Sequence, residues 1–404
     1  MKRKQWIRLF GLIASLIIVC IAISLQKRVQ KPSNSFESPS PSPSYEPTPT
    51  IMIDTFTPTK EVISKESVVD QWIEQLSLEE KVGQLFFARC PEQKETALED
   101  LKQYCFGGYI LFANHFKEET PDSIREILAS YQETSKVPLL LGVDEEGGTV
   151  NRVSKFSAFR SKPFDSPRQL YQQGQMDAIK SDTKEKSNFL LSLGLNVNLA
   201  PVCDIAKESS DYMYARSFGQ TAKETANYVK EVVTIMKSQK IGSVLKHFPG
   251  YGNNINTHNS IAIDLREYEI FKTQDFLPFE AGIRAGADAI LVSHTIIECM
   301  DDKKPASLSE KVHQILREEL GFDGVIMTDD LIMQAIIDYT ESKTAAVNAI
   351  KAGNDLLIAT DYKIQYEAVL DAVKSGELSI KQIENSIRRI LLWKMELGLI
   401  AEGS

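Results

Sequence analysis

The stretch GSVLKHFP, residues 242–249, is a short apolar run that contains a lysine and a histidine near its end. Eight apolar runs of this kind occur along the chain, and segments with the hydrophobic spacing of helices separate them. Runs as apolar as these are typical of strands that are buried on both faces of a parallel sheet. In chain order they are residues 82–89, 106–113, 138–145, 197–204, 242–249, 287–294, 324–331 and 355–361.

Eight strand–helix units in about 300 residues predict an α/β fold, a (β/α)8 barrel of the TIM type. The stretch from residue 379 to residue 400 has helical spacing and is predicted to close the barrel as a long helix. An open, doubly wound sheet is the alternative architecture. It is disfavoured because no glycine-rich nucleotide loop follows any of the apolar runs.

Ionisable residues stand at or just beyond the ends of six of the eight runs. In a barrel of this type the carboxyl ends of the strands meet at one mouth, where sites assemble. One such residue alone often does no more than cap a helix, but six of them predict a functional site. They are Asp144, Asp204, His247, His294, Asp329 and Asp361.

The chain has three predicted parts. Residues 1–30 hold a basic start and an apolar stretch, residues 9–25, which is either an uncleaved membrane anchor or a cleaved signal peptide. Residues 31–63 are rich in proline, serine and threonine and form a tether without a core. Residues 64–404 form the single catalytic domain. Both interpretations of the first part place residues 32–404 outside the cytoplasm.

Charge and cysteine usage exclude some partners and suggest the state of the thiols. The net charge is −9, although the first 31 residues carry seven basic groups and no acidic one. Such an acidic domain repels phosphate backbones, so we expect no nucleic acid partner. The cysteines lack metal-type spacing and are expected to be reduced and buried; beyond Cys20 they are Cys90, Cys105, Cys203 and Cys299.

The run GVIMTDDLIM, residues 324–333, holds two adjacent carboxylates, Asp329 and Asp330, at the end of its predicted strand. One function for either of them is to cap the helix that follows. A carboxylate at the mouth of a barrel can also attack an acetal carbon. Retaining glycoside hydrolysis needs such a nucleophile together with a second group that first gives and then removes a proton.

Five strings together resemble glycoside hydrolase family 3, and specifically its bacterial β-N-acetylhexosaminidase branch. They are DEEGGTVNRV, NVNLAPVCDI, RSFG, KHFPGYG and GVIMTDDLIM, and they follow one another across residues 64–404. The resemblance implies a (β/α)8 barrel that removes terminal N-acetylglucosamine through a glycosyl-enzyme intermediate. It implies no cofactor and no metal. We expect a monomer whose substrate is a cell-wall saccharide, held near the membrane by the N-terminal segment.

The same resemblance assigns roles to residues of this chain. Asp329 is implied to be the nucleophile, and His258 on the loop after the fifth run the acid/base. The side chains implied to bind the N-acetylated sugar are Asp144, Arg216, Lys246 and His247. Imidazole titrates near pH 6.5, so His258 can act in both directions at neutral pH.

The loop departs from the family pattern at the residue that orients the acid/base. Relatives carry Asp-Ser/Thr-His, whereas this chain reads Asn256-Thr257-His258 and its loop is one residue shorter. Many relatives also have histidine where Tyr251 stands. Asn256 can accept a hydrogen bond from the imidazole but brings no charge to stabilise the imidazolium. We expect less efficient acid/base catalysis, with Asp264 as a candidate to supply the missing charge.

Three alternatives remain at the level of the sequence. The chain could be a weakly active or non-catalytic glycan-binding relative, because of Asn256. It could act on another sugar or transfer the sugar to phosphate. A metal-dependent amidohydrolase would use His247, His294 and Asp361, but the His-x-His pair that such an enzyme needs after its first strand is replaced by FFARC, residues 86–90.

Overall fold

A computed structural model describes residues 64–401 of the 404-residue chain, except residues 253, 255, 256, 258 and 259. The predicted anchor and tether, residues 1–63, lie outside the described residues. Within the described part, no helix combines the length and the apolar character needed to cross a membrane.

Eight parallel strands form one sheet that curves into a barrel. Each strand pairs with its neighbours in chain order, from β7 through β1 and on to β8. The seam between the seventh and eighth strands closes through a parallel bridge from Met327 to Leu356. The predicted TIM-type barrel is therefore confirmed. The strands are β1 (Phe86–Arg89), β2 (Gly108–Leu111), β3 (Leu140–Val143), β4 (Val197–Asn198), β5 (Gly242–Phe248), β6 (Ala289–Val292), β7 (Val325–Thr328) and β8 (Leu357–Ala359).

The barrel interior is filled by large side chains that meet glycines on neighbouring strands. Phe87 of β1 is fully buried, and a Cβ atom added at Gly142 of β3 would lie 2.4 Å from its ring. A Cβ atom added at Gly108 of β2 would lie 2.7 Å from the same ring. The aromatic ring thus occupies space that side chains on β2 and β3 would otherwise fill, as expected of a packed barrel core.

Helices surround the barrel and begin at side-chain caps. Ser77, Thr120, Ser166 and Thr221 each form a capping box at the start of a helix. The helices are α1 (Lys65–Gln75), α2 (Leu78–Gly83), α3 (Lys94–Tyr104), α4 (Pro121–Thr134), α5 (Pro167–Ser192), α6 (Ala222–Ser238), α7 (Phe276–Arg284), α8 (Glu310–Gln314), α9 (Gln334–Ile337), α10 (Ser342–Ala352), α11 (Tyr362–Lys374) and α12 (Ile380–Glu396). The closing helix predicted from residue 379 is α12.

Short helical segments and strand pairs complete the connections between these elements. Helical turns lie at Ala113–His115, Tyr268–Ile270, Phe271–Asp275, Ala306–Leu308 and Ile315–Glu319. After β3 the chain forms a hairpin from Glu145–Gly147 and Val150–Asn151. After β5 and β6, Ile263–Asp264 pairs with Ile296–Ile297. Both additions stand at the carboxyl ends of barrel strands.

The structure corrects two sequence expectations. The first apolar run was expected to begin a strand at residue 82, but Val82 and Gly83 complete α2, whose capping box at Ser77 fixes a helix there. The free thiols were expected to be buried. Cys90, Cys105 and Cys203 are free and buried, but Cys299 is exposed because it lies in the turn after Ile297 rather than on a strand.

Candidate active site

A polar cleft of roughly 730 Å³ opens at the carboxyl ends of the strands. Its wall includes Asp144 after β3, Lys246 and His247 of β5, and Asp329 after β7. Arg216, from the connection between β4 and α6, completes the polar side. Five of the site residues predicted from the sequence therefore border one cavity, although they come from four separate parts of the chain.

Lys246 and His247 both reach this cleft because β5 is irregular at its end. The pairing of β5 with β6 shifts between Lys246 and Phe248, so the strand carries one extra residue there. A bulge of this kind turns neighbouring side chains away from strict alternation. Two consecutive residues can thus face the same cavity.

Lys246 is the centre of a buried charge network. Its ammonium nitrogen lies 2.6 Å from Asp144 Oδ1 and 2.6 Å from Glu146 Oε1. Only 2% of the Lys246 side chain is exposed, so water screens these ion pairs little. Asp144 also borders the cleft. A carboxylate already held by the lysine is therefore presented to a ligand.

Glu146 connects the lysine to an arginine. Its two oxygens accept hydrogen bonds from Arg216 at 2.7 and 2.9 Å, which makes a bidentate pair. Burial acts to raise the pKa of the Glu146 carboxyl, but Arg216 and Lys246 together hold that pKa well below its usual range. Glu146 is therefore ionised at neutral pH and neutralises part of the two cations.

His247 is held between this arginine and an aspartate. Asp204 Oδ2 lies 2.7 Å from His247 Nδ1 and also accepts the backbone N–H of His247 at 3.1 Å. When Nδ1–H donates to Asp204, Nε2 of the neutral ring is the acceptor. Arg216 lies 3.3 Å from that Nε2 and donates to it. The imidazole is thus fixed in orientation and tautomer before any ligand arrives.

The two adjacent carboxylates after β7 have different partners. Asp330 Oδ2 accepts the Thr360 hydroxyl at 2.5 Å, and Asp330 Oδ1 accepts the backbone N–H of Ile332 at 3.2 Å. Burial raises the pKa of Asp330, and those hydrogen bonds oppose the rise. Asp329 Oδ1 accepts the backbone N–H of Asp330 at 2.8 Å, and both aspartates border the cleft. Asp330 thus holds the turn at Ile332, and the predicted helix cap is wrong because α9 begins only at Gln334 and none of the described side chains caps it.

The six polar residues predicted at the mouth divide into two groups. Three of them border the cleft: Asp144, His247 and Asp329. Asp204 lies behind the cleft and holds His247. Asp361 is not part of the cleft wall and accepts the Ser342 hydroxyl at 3.3 Å. His294 is fully buried, with Nδ1 2.7 Å from Ser307 Oγ and Nε2 3.0 Å from the carbonyl oxygen of Asp330. Because His247 and His294 each hold separate partners, this arrangement does not favour the amidohydrolase alternative.

The predicted acid/base His258 and its neighbour Asn256 lie outside the described residues. The loop that carries them begins at Gly250, whose φ of 121° suits glycine. A Cβ atom at Gly250 would lie 2.3 Å from Asp275 Oδ1. The start of the loop thus packs so closely on the Asp275 side chain that only glycine fits.

Asp264 was expected to be able to supply the charge that Asn256 lacks. Its carboxylate is buried, and its two oxygens accept hydrogen bonds from Arg266 Nε at 3.0 and 2.9 Å. One of these oxygens also accepts a hydrogen bond from Asn254 Nδ2 at 2.7 Å. Arg266 is also paired with Asp275 at 2.9 Å. The charge of Asp264 is thus already neutralised by Arg266, in a cluster that holds the base of the loop.

Residues 77–392 match the family model described as the glycosyl hydrolase family 3 N terminal domain. The chain belongs to glycosyl hydrolase family 3. The resemblance inferred from the five sequence strings is confirmed.

Similar proteins within family 3 share most of this domain. A protein of Nitrosomonas eutropha named Beta-hexosaminidase is 33% identical over 275 residues, which cover 66% of this chain and 77% of that protein. A Beta-hexosaminidase of Xanthomonas campestris pv. campestris is 30% identical, with 75% and 91% covered. A solved family 3 beta-N-acetylglucosaminidase of Paenibacillus is 30% identical, with a TM-score of 0.76. The match covers 81% of this chain and spans 64% of the Paenibacillus protein.

Sequence reasoning missed Glu146 as a site residue. It follows Asp144 and Glu145 and precedes two glycines, so the string DEEGG gives no indication of which carboxylate reaches the cations. Glu145 instead accepts the backbone N–H groups of Arg152, Val153 and Ser154, which fixes the hairpin after β3. The alternation of the hairpin, which directs Glu145 and Glu146 to opposite sides, is the signal that could have separated them.

The charge network generates a prediction about acid stability. The pKa of Glu146 is lower in the folded than in the unfolded chain, so the unfolded chain binds more protons as the pH falls. The stabilisation is therefore fully present above the unfolded pKa, about 4.3, and is lost progressively below it. We expect Glu146→Gln to lower the unfolding free energy by about 3–5 kcal/mol at pH 6.5, because two buried cations lose a partner. The deficit should shrink at pH 3.5.

Urea unfolding of the full chain at both pH values measures this difference. The matched control is Glu133→Gln, the same charge change on the exposed face of α4, which should alter stability little at either pH. An equal deficit for Glu146→Gln at pH 6.5 and pH 3.5 would contradict the assigned role of the carboxylate.

Proposed function

We propose that this chain is an exo-acting, retaining β-N-acetylhexosaminidase that hydrolyses terminal N-acetylglucosamine. The observation that carries the proposal is that Asp329 borders the same cleft as Asp144, Arg216, Lys246 and His247. Two relatives that match most of the domain are named Beta-hexosaminidase, which supports the same sugar. A cell-wall saccharide that ends in N-acetylglucosamine is the natural substrate that we infer.

The polar side of the cleft is suited to hold a sugar in one orientation. Asp144 accepts hydroxyl groups, and the cations of Lys246 and Arg216 donate to sugar oxygens. His247 adds a ring whose tautomer is set by Asp204. Because every one of these groups already has a partner in the protein, little reorganisation accompanies binding. Such preorganised polar groups are the kind that stabilise a charged transition state.

Two displacements at the anomeric carbon account for retention. In the first, an Asp329 oxygen forms a bond to that carbon while the bond to the leaving oxygen breaks, and His258 gives the leaving oxygen its proton. In the second, His258 takes a proton from water, the water oxygen bonds to the anomeric carbon, and Asp329 leaves. A histidine suits this role because its basic form is neutral and adds no second anion beside Asp329.

The proposal predicts different consequences for the two neighbouring aspartates. Asp329→Asn removes the nucleophile and should lower kcat by at least about 10³-fold, since the covalent route is lost. Its matched partner Asp330→Asn should instead lower thermal stability, because Thr360 and Ile332 lose a charged acceptor, while most turnover remains. Release of nitrophenol from p-nitrophenyl N-acetyl-β-D-glucosaminide by the full chain, together with thermal unfolding, measures both. Normal turnover in Asp329→Asn would overturn the proposal.

A further prediction concerns the missing dyad charge. Asn256→Asp supplies a carboxylate beside His258 and should raise kcat for substrates with poor leaving groups by about tenfold, because an ion pair stabilises the imidazolium. The control Asn259→Asp adds the same charge on the other side of His258 and should give no such gain. Equal rates for Asn256→Asp and the unchanged chain would show that the charge is not what limits the reaction.

We also infer that the first 63 residues hold the enzyme outside the cytoplasm. The apolar stretch at residues 9–25 follows a basic start, and the proline-rich segment that comes next is suited to act as a spacer. Such an arrangement would keep the barrel near wall saccharides at the cell surface.

Surface accessibility tests this location. Ile17→Lys with Ile18→Lys places two charges in the apolar stretch, at an insertion cost of roughly 2.5–3.5 kcal/mol each, and should leave the barrel inaccessible to protease added to intact cells. Ser40→Lys with Ser42→Lys adds the same charge in the spacer and should leave the barrel accessible. Protection of the unchanged chain from protease would refute the inference. Fractionation of the accessible protein into pellet or supernatant separates an anchor from a cleaved signal.

A further inference from the structure

Tyr251 joins the sugar-binding side of the cleft to the loop that follows β5. Its side chain is buried, with 3% of the residue exposed, and its ring lies 5.8 Å from the His247 ring in an edge-on arrangement. Its backbone N–H donates to Asp204 Oδ1 at 2.8 Å. The other oxygen of Asp204 holds His247. One carboxylate therefore fixes both His247 and the backbone of Tyr251.

The phenol of Tyr251 makes two hydrogen bonds to a single residue further along the loop. It accepts the backbone N–H of Thr257 at 2.8 Å and lies 3.0 Å from Thr257 Oγ1. A phenol has one proton and two acceptor positions, so it can serve both groups at once. Burial raises the pKa of Tyr251 to about 12, although the bonds to Thr257 oppose the rise. The phenol thus keeps its proton across the neutral range.

Thr257 is held on its other side by the segment that follows the candidate nucleophile. Its carbonyl oxygen accepts the backbone N–H of Ala335 at 3.3 Å. Ala335 belongs to α9, six residues beyond Asp329. Thr257 itself is buried, with 2% of the residue exposed. Its peptide groups therefore bridge the loop after β5 and the loop after β7, which are the two loops that carry the proposed catalytic pair.

We propose that Tyr251 is a positioning residue for the acid/base step, which it serves by fixing Thr257, the residue directly before His258, between the barrel and α9. This inference rests on the proposed function, because it takes His258 as the proton donor and Asp329 as the nucleophile. Tyr251 is not among the residues that border the cleft, so it acts through Thr257 and not by contact with the sugar.

The position of Tyr251 explains how the loop can be held in a chain with Asn256. An aspartate at position 256 would orient the imidazole through charge. Here the described part of the loop is fixed by other contacts: Tyr251 binds Thr257, and Asn254 Nδ2 donates to the Tyr251 carbonyl at 2.9 Å and to Asp264 at 2.7 Å. The loss of the phenol oxygen would leave the Thr257 N–H and hydroxyl without that partner in a buried place, which disfavours this loop position.

Tyr251→Phe is the variant that removes the phenol and keeps the ring. Protonation of the leaving group by an acid matters most when the leaving group is poor. Two substrates that differ in their leaving group therefore distinguish a loss of acid catalysis from a general loss of activity. We expect kcat/KM for phenyl N-acetyl-β-D-glucosaminide, which reports the first displacement, to fall by about 10- to 100-fold. With the p-nitrophenyl substrate the fall in kcat/KM should be only a few-fold, because its leaving group needs little acid assistance. Thr257→Val removes one of the two bonds and should give a smaller effect with the same dependence on the leaving group.

A double variant and a control complete the experiment. If both residues act through one contact, Tyr251→Phe with Thr257→Val should be no slower than Tyr251→Phe alone, which is the non-additivity expected of directly bonded partners. Tyr171→Phe makes the same chemical change on α5, away from the loop, and should leave both rates unchanged. Thermal unfolding of each variant measures whether the protein is folded.

The outcomes distinguish this inference from the proposed function. Equal losses with both substrates, or no loss at all, in folded Tyr251→Phe would overturn the positioning role while the wild-type chain still released nitrophenol. Additive losses in the double variant would also overturn it. If the wild-type chain were no faster than Asp329→Asn, the proposed function would fail and this inference with it.

Discussion

The site is organised by one buried ammonium group. Lys246 lies between Asp144 and Glu146, and Glu146 also forms an ion pair with Arg216. Removal of one of these charged side chains would leave its partner charged, buried and unpaired. The resulting loss of folding stability is far larger than the stability that the intact ion pair contributes. The hairpin after β3, the connection after β4 and the end of β5 are thereby held in a single arrangement. The sugar-binding side chains depend on that arrangement for their orientation.

The same constraint explains how neighbouring carboxylates take different roles. Asp144, Glu145 and Glu146 are close in sequence, yet one borders the cleft, one fixes a hairpin through backbone amides and one neutralises two cations. At the end of β7, Asp330 is occupied by Thr360 and Ile332. In each case the hydrogen-bond partners decide the role, and the residue type alone does not.

The sequence predicts the barrel well because its signal repeats. Eight apolar runs, six of them with an ionisable residue at or just beyond the end, can satisfy their backbone groups and bury their side chains in a closed parallel sheet. The boundaries were less predictable. Val82 and Gly83 belong to a helix because the capping box at Ser77 acts locally, a signal that hydrophobicity does not contain. Among the mouth residues, Asp144, His247 and Asp329 were predicted to converge and do. The sequence could not distinguish His294 from these three residues, because a histidine that contacts the Asp330 backbone and one that borders a cleft look alike in sequence.

Contacts between distant parts of the chain were outside the reach of the sequence. The bonds from Asp204 to His247 and from Tyr251 to Thr257 depend on how the loops after β4, β5 and β7 fold towards one another. Family motifs indicate that such loops carry the chemistry, but in this chain Asn256 and Tyr251 depart from the pattern. Departures of this kind have to be interpreted from contacts, since no pattern covers them.

The central claim is that one carboxylate after β7 attacks the sugar carbon, and a trapped intermediate tests it most directly. The full chain would be incubated with a 5-fluoro N-acetylglucosaminyl fluoride, digested, and its peptides weighed by mass spectrometry. The account predicts a single added sugar on the peptide that contains Asp329, with fragmentation placing it on that residue. A label on Asp330 or Glu146, or turnover of the reagent without any labelled peptide, would contradict it.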